Sequence, residues 1–403
     1  MKKFVCFLFA LVLSVSFAGS AAIAVGQTGG TYNRAGNDSE NGKYIKLAGG
    51  LNGSENVTIS RRYILDYMYR DFSSVTRGLL ISLMCQNGDI SHPKEIPVSW
   101  QSRLYEKGAE YRVELSLLGD FSDAITFYGK GDYPNQSDGG ENCIYVSNLM
   151  VNKKYYYRIV GKCVDGVEYF SETGSFTTEG TPARWVNWGK ISNSRDLGGW
   201  RTQSGAFVRQ GMIYRSARMQ EIDGTLVIDE NTAEYIIDVF GLKTDIDLRG
   251  VYDDAVSVTE GIYGKMELVS APIHAYADML TNKDTGYYLK NIFSVFADES
   301  KYPMYIHCSA GADRTGMVAF LLNGLLGVSY EDLIRDFELT SFSDQTLRYR
   351  ANDMEGIAAF LMQYKGNNFS AVNEAIEFWL KDHVGVTDGE ITSIRRILTE
   401  TGV

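Results

Sequence analysis

Apolar residues along this chain fall into two textures, and the change comes near residue 181. Before it, they alternate with polar residues in short runs broken by turn residues: Ile96–Trp100, Tyr111–Leu118, Asn142–Leu149 and Lys154–Cys163, closed by Phe170–Thr178. A period of two sends successive side chains to opposite faces, so these runs predict antiparallel strands around a shared core, an all-β sandwich. Asp132–Gly140 reads as a loop between them. Beyond Thr181-Pro182 strand-like and helix-like patterns alternate, which predicts an α/β domain. Leu242–Arg249 and Met304–Cys308 predict strands there. Gly286–Asp298 predicts an amphipathic helix with Tyr288, Leu289, Ile292, Phe293 and Phe296 on one face. Arg314–Leu326 predicts a buried helix that Gly327 ends, and further helical patterns follow at about 329–341, 353–364, 371–383 and 388–399.

The N-terminus has a different texture again. Lys2 and Lys3 precede an apolar run from Phe4 to Ala18, with small residues at Ala18, Ser20, Ala22 and Ala24. That is the pattern of a cleaved export leader, and the run is shorter than the roughly 20 residues a spanning helix needs. The expected division is a signal peptide over 1–24, a segment of unresolved structure over 25–90, a sandwich over 91–180 and an α/β domain over 181–403. The mature chain is expected to be periplasmic or secreted, with no transmembrane segment. Within 25–90, the stretch 61–85 fits a strand or a short helix equally well. Leu149-Met-Val-Asn-Lys-Lys-Tyr155, Arg158 and the closing Gly-Ser-Phe-Thr-Thr resemble the latter half of a fibronectin type III domain. That resemblance implies a corner at Leu149 and Tyr155, where the tyrosine hydroxyl bonds backbone, and a core role for Trp100. It brings no chemistry, and the partner it implies is a protein or glycan ligand.

Composition narrows the function. A formal net charge of −11 argues against a nucleic-acid or anionic-membrane binder, since both repel an acidic protein. Any affinity for an anion must come from a local site. Without Cys6 the chain keeps Cys85, Cys143, Cys163 and Cys308. An oxidising compartment favours pairing; Cys143–Cys163 is the pair expected, with buried thiols as the alternative.

The local site is His307-Cys-Ser-Ala-Gly-Ala-Asp-Arg-Thr-Gly316, set between a strand and the buried helix. Such a turn aims backbone N–H groups and the positive end of the helix dipole at one point, an anion cradle. The same field lowers a thiol pKa, so Cys308 is expected to be a thiolate nucleophile. Arg314 offers a planar fork to two phosphate oxygens. Ser309, Ala310, Gly311 and Ala312 line the cradle, and the Thr315 hydroxyl can serve the sulfur. Gly311 permits the tight curl and Gly316 close helix packing.

Cys-x5-Arg with a leading His and a trailing Thr-Gly resembles the signature loop of the protein tyrosine phosphatase superfamily. Asn193–Gly199, Phe207–Ala217, Asp247-Leu-Arg249, Asp336–Thr340 and the closing region with Phe378-Trp-Leu and Ile394-Arg-Arg resemble, in order, the bacterial tyrosine phosphatase family that includes dual-specificity and phosphoinositide enzymes. The likeness runs from about residue 190 to the C-terminus. It implies a central, mostly parallel sheet flanked by helices, with Arg195, Asp196, Arg249 and His307 supporting the loop. The implied reaction has two steps. Cys308 attacks phosphorus while Arg314 and the loop amides hold the oxygens. A carboxylic acid then protonates the leaving group and later activates water. The Trp-Pro-Asp that often carries this acid is absent, which leaves Asp313 inside the loop or Asp278 upstream. No metal or other cofactor is expected. Ala312 stands where phosphoinositide enzymes of the family often have lysine, which shifts weight toward single phosphomonoesters, although Arg218 and Lys290 could line the pocket. The expected function is an exported protein-tyrosine or dual-specificity phosphatase acting on a phosphorylated protein or small phosphomonoester. The alternatives are an inositol phosphate or phosphoinositide phosphatase, and a binding or adhesion protein with a degenerate phosphatase domain.

Overall fold

The computed structural model describes residues 44–70, 92–104, 109–129, 141–251, 261–343 and 351–401, together with two-residue strands at 22–23 and 34–35. The bulk of the expected leader, Cys85 and the whole Asp132–Gly140 loop lie outside the described residues.

The alternating runs form two sheets. Ile45–Ala48, Ile96–Ser102 and Glu141–Val146 make an antiparallel sheet with the 96–102 strand in the middle. In the larger sheet Glu110–Ser116 lies between Ile125–Tyr128 and Lys154–Lys162, and the last of these also pairs with Glu168–Phe170 and Gly174–Glu179. Residues from both sheets fill one core, among them Val98, Trp100, Tyr111, Val113, Ile144, Tyr157 and Phe176. The period-two pattern explains the fit: Ile96, Val98, Trp100 and Ser102 all point inward. The sheets draw on chain before residue 91, since Ser54–Thr58 pairs in parallel with Gly174–Glu179. The Tyr155 hydroxyl accepts the Met150 amide at 2.8 Å.

The expected Cys143–Cys163 bridge is corrected. The two residues are not joined: Cys143 lies on the exposed face of its strand, while Cys163 is buried in the shared core just past the end of the Lys154–Lys162 strand. Because Ile144 and Val146 face inward, Cys143 must face out.

After Thr181 the chain builds a five-stranded sheet in the order 195–196, 213–216, 304–307, 244–247, 267–270. The last four are parallel to their neighbours and the first is antiparallel, so the sheet is mixed with a parallel body. Its centre is Met304–His307, which runs straight into the loop bearing Cys308. The Asp313–Leu325 helix that follows is buried along almost its whole length, so it lies inside the domain. Helices Lys283–Phe296, Tyr330–Leu339, Ala351–Met362, Val372–Trp379 and Asp388–Leu398 surround it. Two short helices, Glu230–Phe240 and Tyr276–Thr281, have no counterpart in the expectations from sequence. Among the described residues, no helix is long and apolar enough to cross a membrane.

The ambiguous 61–85 stretch begins as a helix, Arg62–Met68. Its Ile64, Tyr67 and Met68 belong to the large core of the α/β region, and the Tyr67 hydroxyl donates to Glu338 at 2.7 Å. Gln210 adds a second tie by exchanging two 2.9 Å hydrogen bonds with the backbone of Val151. A third comes from Lys153, which pairs with Glu400 at 2.7 Å.

Candidate active site

The loop between His307 and the 313–325 helix brings together the residues that the sequence placed there. Cys308 is buried at 3% exposure at the end of the central strand. Burial alone would raise its thiol. The positive charge of Arg314, the Thr315 hydroxyl and the amides of Thr315 and Ala310 outweigh that effect and leave it below its ordinary value. The Thr315 hydroxyl is buried with no other hydrogen-bond partner, which keeps it available to the sulfur. Ala312 stands at the N-cap position and offers no side-chain oxygen, so no side chain competes for the first amides of the helix. Arg314 is anchored on the Leu248 carbonyl at 3.3 Å and the Ser309 hydroxyl at 3.2 Å. These bonds hold the guanidinium over the cradle.

The curl of the loop depends on Gly311. Its φ is +64°, and a Cβ there would lie 2.2 Å from the Ser216 carbonyl oxygen. The obstructing atoms are the backbone of Ser216 and Ala217, which cannot yield as the end of a side chain would. Gly311→Ala is therefore expected to cut kcat/KM on an aryl phosphate by on the order of 100-fold, the usual cost of misplacing a reacting group by about 1 Å. A near-normal rate in a protein with an unchanged unfolding midpoint would contradict this.

Beneath the loop lies a charged brace, of which only Arg195 was expected from sequence. Arg195 and Arg215 are both fully buried and share Asp336, at 3.3 and 2.8 Å. Arg215 also donates to the Gly311 carbonyl at 2.7 Å. Asn193 accepts from Arg195 and donates to the Gly311 carbonyl at 3.0 Å and the Ala310 carbonyl at 3.3 Å. Thr340 accepts from both Asn193 and Arg195 at 3.3 Å. Carbonyls tied downward in this way turn the loop's N–H groups toward the anion. Burial and repulsion from Arg215 pull the Arg195 guanidinium down to about 9, with Asp336 working against them. Arg195 therefore stays charged at neutral pH; burial also lowers Arg215, and Asp336 is the largest influence against that. Cys308 is one of the groups that favour the charged form of Arg215.

The other supporting residues lie further out. Asp196 pairs with Arg184 at 3.0 Å and accepts the Gly198 and Gly211 amides, so it fixes the entry turn and not the loop itself. Arg249 forms a bidentate pair with Asp247 and donates to the Gln220 carbonyl. Its contribution reaches the loop through Leu248, whose amide donates to the His307 carbonyl and whose carbonyl receives Arg314. His307 stacks on Tyr305 with its Nε2 3.1 Å from Asp245. Burial works against its charge, but Asp247 and Asp245 prevail and hold its pKa above the usual value.

The two carboxylates considered as proton donors part company. Asp313 opens the helix directly beside Arg314 and receives a hydrogen bond from the Tyr276 hydroxyl. Asp278 is exposed on the 276–281 helix. Arg218 reaches the loop at the Ser309 carbonyl, 3.1 Å away, and is paired with Glu221 at 2.7 Å. Lys290 is corrected as a pocket residue: it is engaged with Glu390 between the 283–296 and 388–398 helices. Asn193, Arg215, Asp336, Thr340 and Tyr276 had not been singled out as site residues. The one local signal was Arg215, a charge inside the strand Ile213–Ser216, where only a paired charge can be buried.

A model described as the tyrosine phosphatase family matches residues 186–400, more than half of the chain. An inferred tyrosine-protein phosphatase of Cupriavidus necator is 30% identical over 171 residues, covering 36% of this chain and 59% of the relative's own length. The catalytic core of the PP-IP phosphatase Siw14 of S. cerevisiae, solved with citrate, aligns at 13% identity and a TM-score of 0.28, covering 47% of this chain and 88% of that one. A second Siw14 catalytic-core structure aligns at 15% identity and a TM-score of 0.27, over 43% of this chain and 82% of that one.

Proposed function

The chain belongs to the tyrosine phosphatase family, and from that membership we propose that it is an exported phosphatase that hydrolyses phosphomonoesters through a phosphocysteine, with phosphotyrosine as the preferred substrate class. The observation that carries the reading is the junction of strand, loop and helix that holds Cys308, Arg314 and Thr315 around one anion cradle.

In the first step the Cys308 sulfur attacks phosphorus and the ester P–O bond breaks. Arg314 and the loop amides neutralise the equatorial oxygens, and Asp313 delivers its proton to the departing oxygen. In the second step Asp313 takes a proton from water as it attacks the phosphocysteine, and the thiolate leaves with help from Thr315. Substrate preference follows from charge at the mouth. Ala312 supplies no cation, and Arg218 is largely neutralised by Glu221, so a substrate with many phosphates gains little there. The name of the Cupriavidus necator relative agrees with that preference. An inositol phosphate or phosphoinositide remains the alternative substrate class. The leader-like N-terminus supports export, and the order of strands over residues 45–179 supports a fibronectin III-like sandwich ahead of the catalytic region, with a protein or glycan as its ligand.

The test compares initial rates, in the presence of a chelator, on phosphotyrosine peptides, phosphoserine peptides, a phosphoinositide and phytate. Phosphotyrosine is expected to be fastest. A preference for an inositol phosphate would transfer the assignment to the alternative, and absence of turnover on all four would sink both. For the acid, Asp313→Asn is expected to lower kcat by about 100-fold or more and flatten the alkaline limb of the pH profile, whereas Asp278→Asn should leave that limb in place. The reverse result would reassign the proton donor.

A further inference from the structure

The contact between Tyr276 and Asp313 has a purpose that the core does not require. Tyr276 opens the short 276–281 helix, 37 positions before its partner in sequence. Its backbone φ is +53°, in the left-handed region that bulky residues rarely occupy. Such a conformation is costly and persists only where surrounding contacts impose it. Its ring is set edge-on to Phe337, with centroids 6.4 Å apart, and its hydroxyl donates to Oδ1 of Asp313. Phe337 in turn lies next to Asp336 of the brace and closes on Gly316, where a Cβ would approach it to 2.9 Å. The ring is thus held on the rigid body that sets the loop, and its hydroxyl points at the one carboxyl inside it.

We infer that Tyr276 is the positioning residue for the proton donor: its hydroxyl fixes the Asp313 carboxyl at the mouth of the loop, where the leaving oxygen departs. This rests on the assignment of Asp313 as the acid. As the S–P bond forms and the ester P–O bond breaks, the proton on Asp313 passes to the ester oxygen and the carboxylate remains. The Tyr276 hydrogen bond survives this change and strengthens, because a phenol donates better to a carboxylate than to a carboxylic acid. Tyr276 therefore favours release of the proton while preventing the carboxyl from turning away. The charged and titratable groups around Asp313 are Arg215 below it, Arg314 and Cys308 in the loop, and Tyr276 above. His274, on the segment leading into the 276–281 helix, is bonded to Thr285, and Asp278 is exposed on that helix.

The test is Tyr276→Phe, which keeps the ring against Phe337 and the same backbone preference, so the unfolding midpoint should hold. Loss of a hydrogen bond to the carboxylate should move the alkaline limb of kcat to higher pH by about one unit. With phenyl phosphate, whose leaving group needs the proton, kcat should fall about tenfold. With 4-nitrophenyl phosphate, whose leaving group does not, it should change little, and KM should hold for both. In the Asp313→Asn background the Tyr276→Phe change should add nothing. If Asp313→Asn flattens the alkaline limb while Tyr276→Phe alters neither the limb nor the leaving-group dependence, the positioning role is overturned. If Asp313→Asn itself leaves the limb intact, it is the acid assignment that fails. An equal loss on both substrates with an unmoved limb would show Tyr276 to be only a packing residue.

Discussion

Cys308→Ser should lower metal-independent phosphomonoester hydrolysis by on the order of 10⁴-fold or more, the scale seen when an enzyme loses its nucleophile and keeps its binding groups. The substitution is nearly isosteric, so the cradle formed by Arg314 and the loop amides should still bind phosphate. What disappears is the anion that attacks. The loop's charges act on a thiol whose ordinary pKa is about 9 and bring it lower, but a serine hydroxyl starts too high for the same charges to ionise it. The sign of the pH effect follows. Because the thiolate is favoured, alkylation of Cys308 by iodoacetamide should titrate with a midpoint below that ordinary value. Inorganic phosphate in the cradle should slow the alkylation by occupying the site. Metal-independent turnover that survives Cys308→Ser, or a midpoint at or above the ordinary thiol value, would remove the mechanism.

Asp336→Ala should be the most destabilising single change at the site, at about 3–5 kcal/mol, because it strips two buried guanidiniums of the carboxylate they share. In a protein of this size that corresponds to a fall of roughly 4–6 °C in the unfolding midpoint. Neither arginine can reach water, and their mutual repulsion, now balanced by Asp336, would act unopposed. Activity should fall in the fraction that stays folded, since Arg215 would no longer be held where it ties the Gly311 carbonyl. Asp336→Asn keeps the shape and one oxygen, so it should cost less than Asp336→Ala. A midpoint within about 2 °C of the parent for Asp336→Ala would show that the brace contributes little.

The reactive loop was legible in the sequence because its chemistry demands contiguity. A nucleophile, the amides of a tight curl and a fork of donors in the first helical turn must follow one another within ten positions. Of the brace only Arg195 was legible, for the opposite reason. Asn193, Arg195, Arg215, Asp336 and Thr340 are drawn from a turn, two strands, a helix and the 3-10 turn that follows it, and only the folded sheet brings them under the loop. Buried charge is recognised by its partner, and the partner here is more than a hundred residues away. Tyr276 was hidden similarly, in a segment too short to show a helical period. The cysteine pairing, by contrast, could have been refused from pattern alone: Ile144 and Val146 face the core, so Cys143 cannot, while the run ending at Cys163 turns inward. Lys290 failed as a pocket cation because Glu390, a hundred positions on, belongs to the next helix over.

The Arg62–Met68 helix changes what counts as a part of this protein. The texture of the sequence suggests a seam at Thr181, as between two modules open to exchange or separate inheritance. Yet a piece of chain that runs between strands of the N-terminal sheets closes the core behind the phosphate loop, and its Tyr67 hydroxyl bonds a residue two positions from Asp336. A fragment cut at the seam would present Phe342 and Glu338 to water, with the underside of the catalytic brace left uncovered. The two regions therefore share one cooperative fate. A lineage that discarded the N-terminal portion would have to repair the enzyme as well, which gives that portion a reason to be retained for the sake of the catalytic core alone.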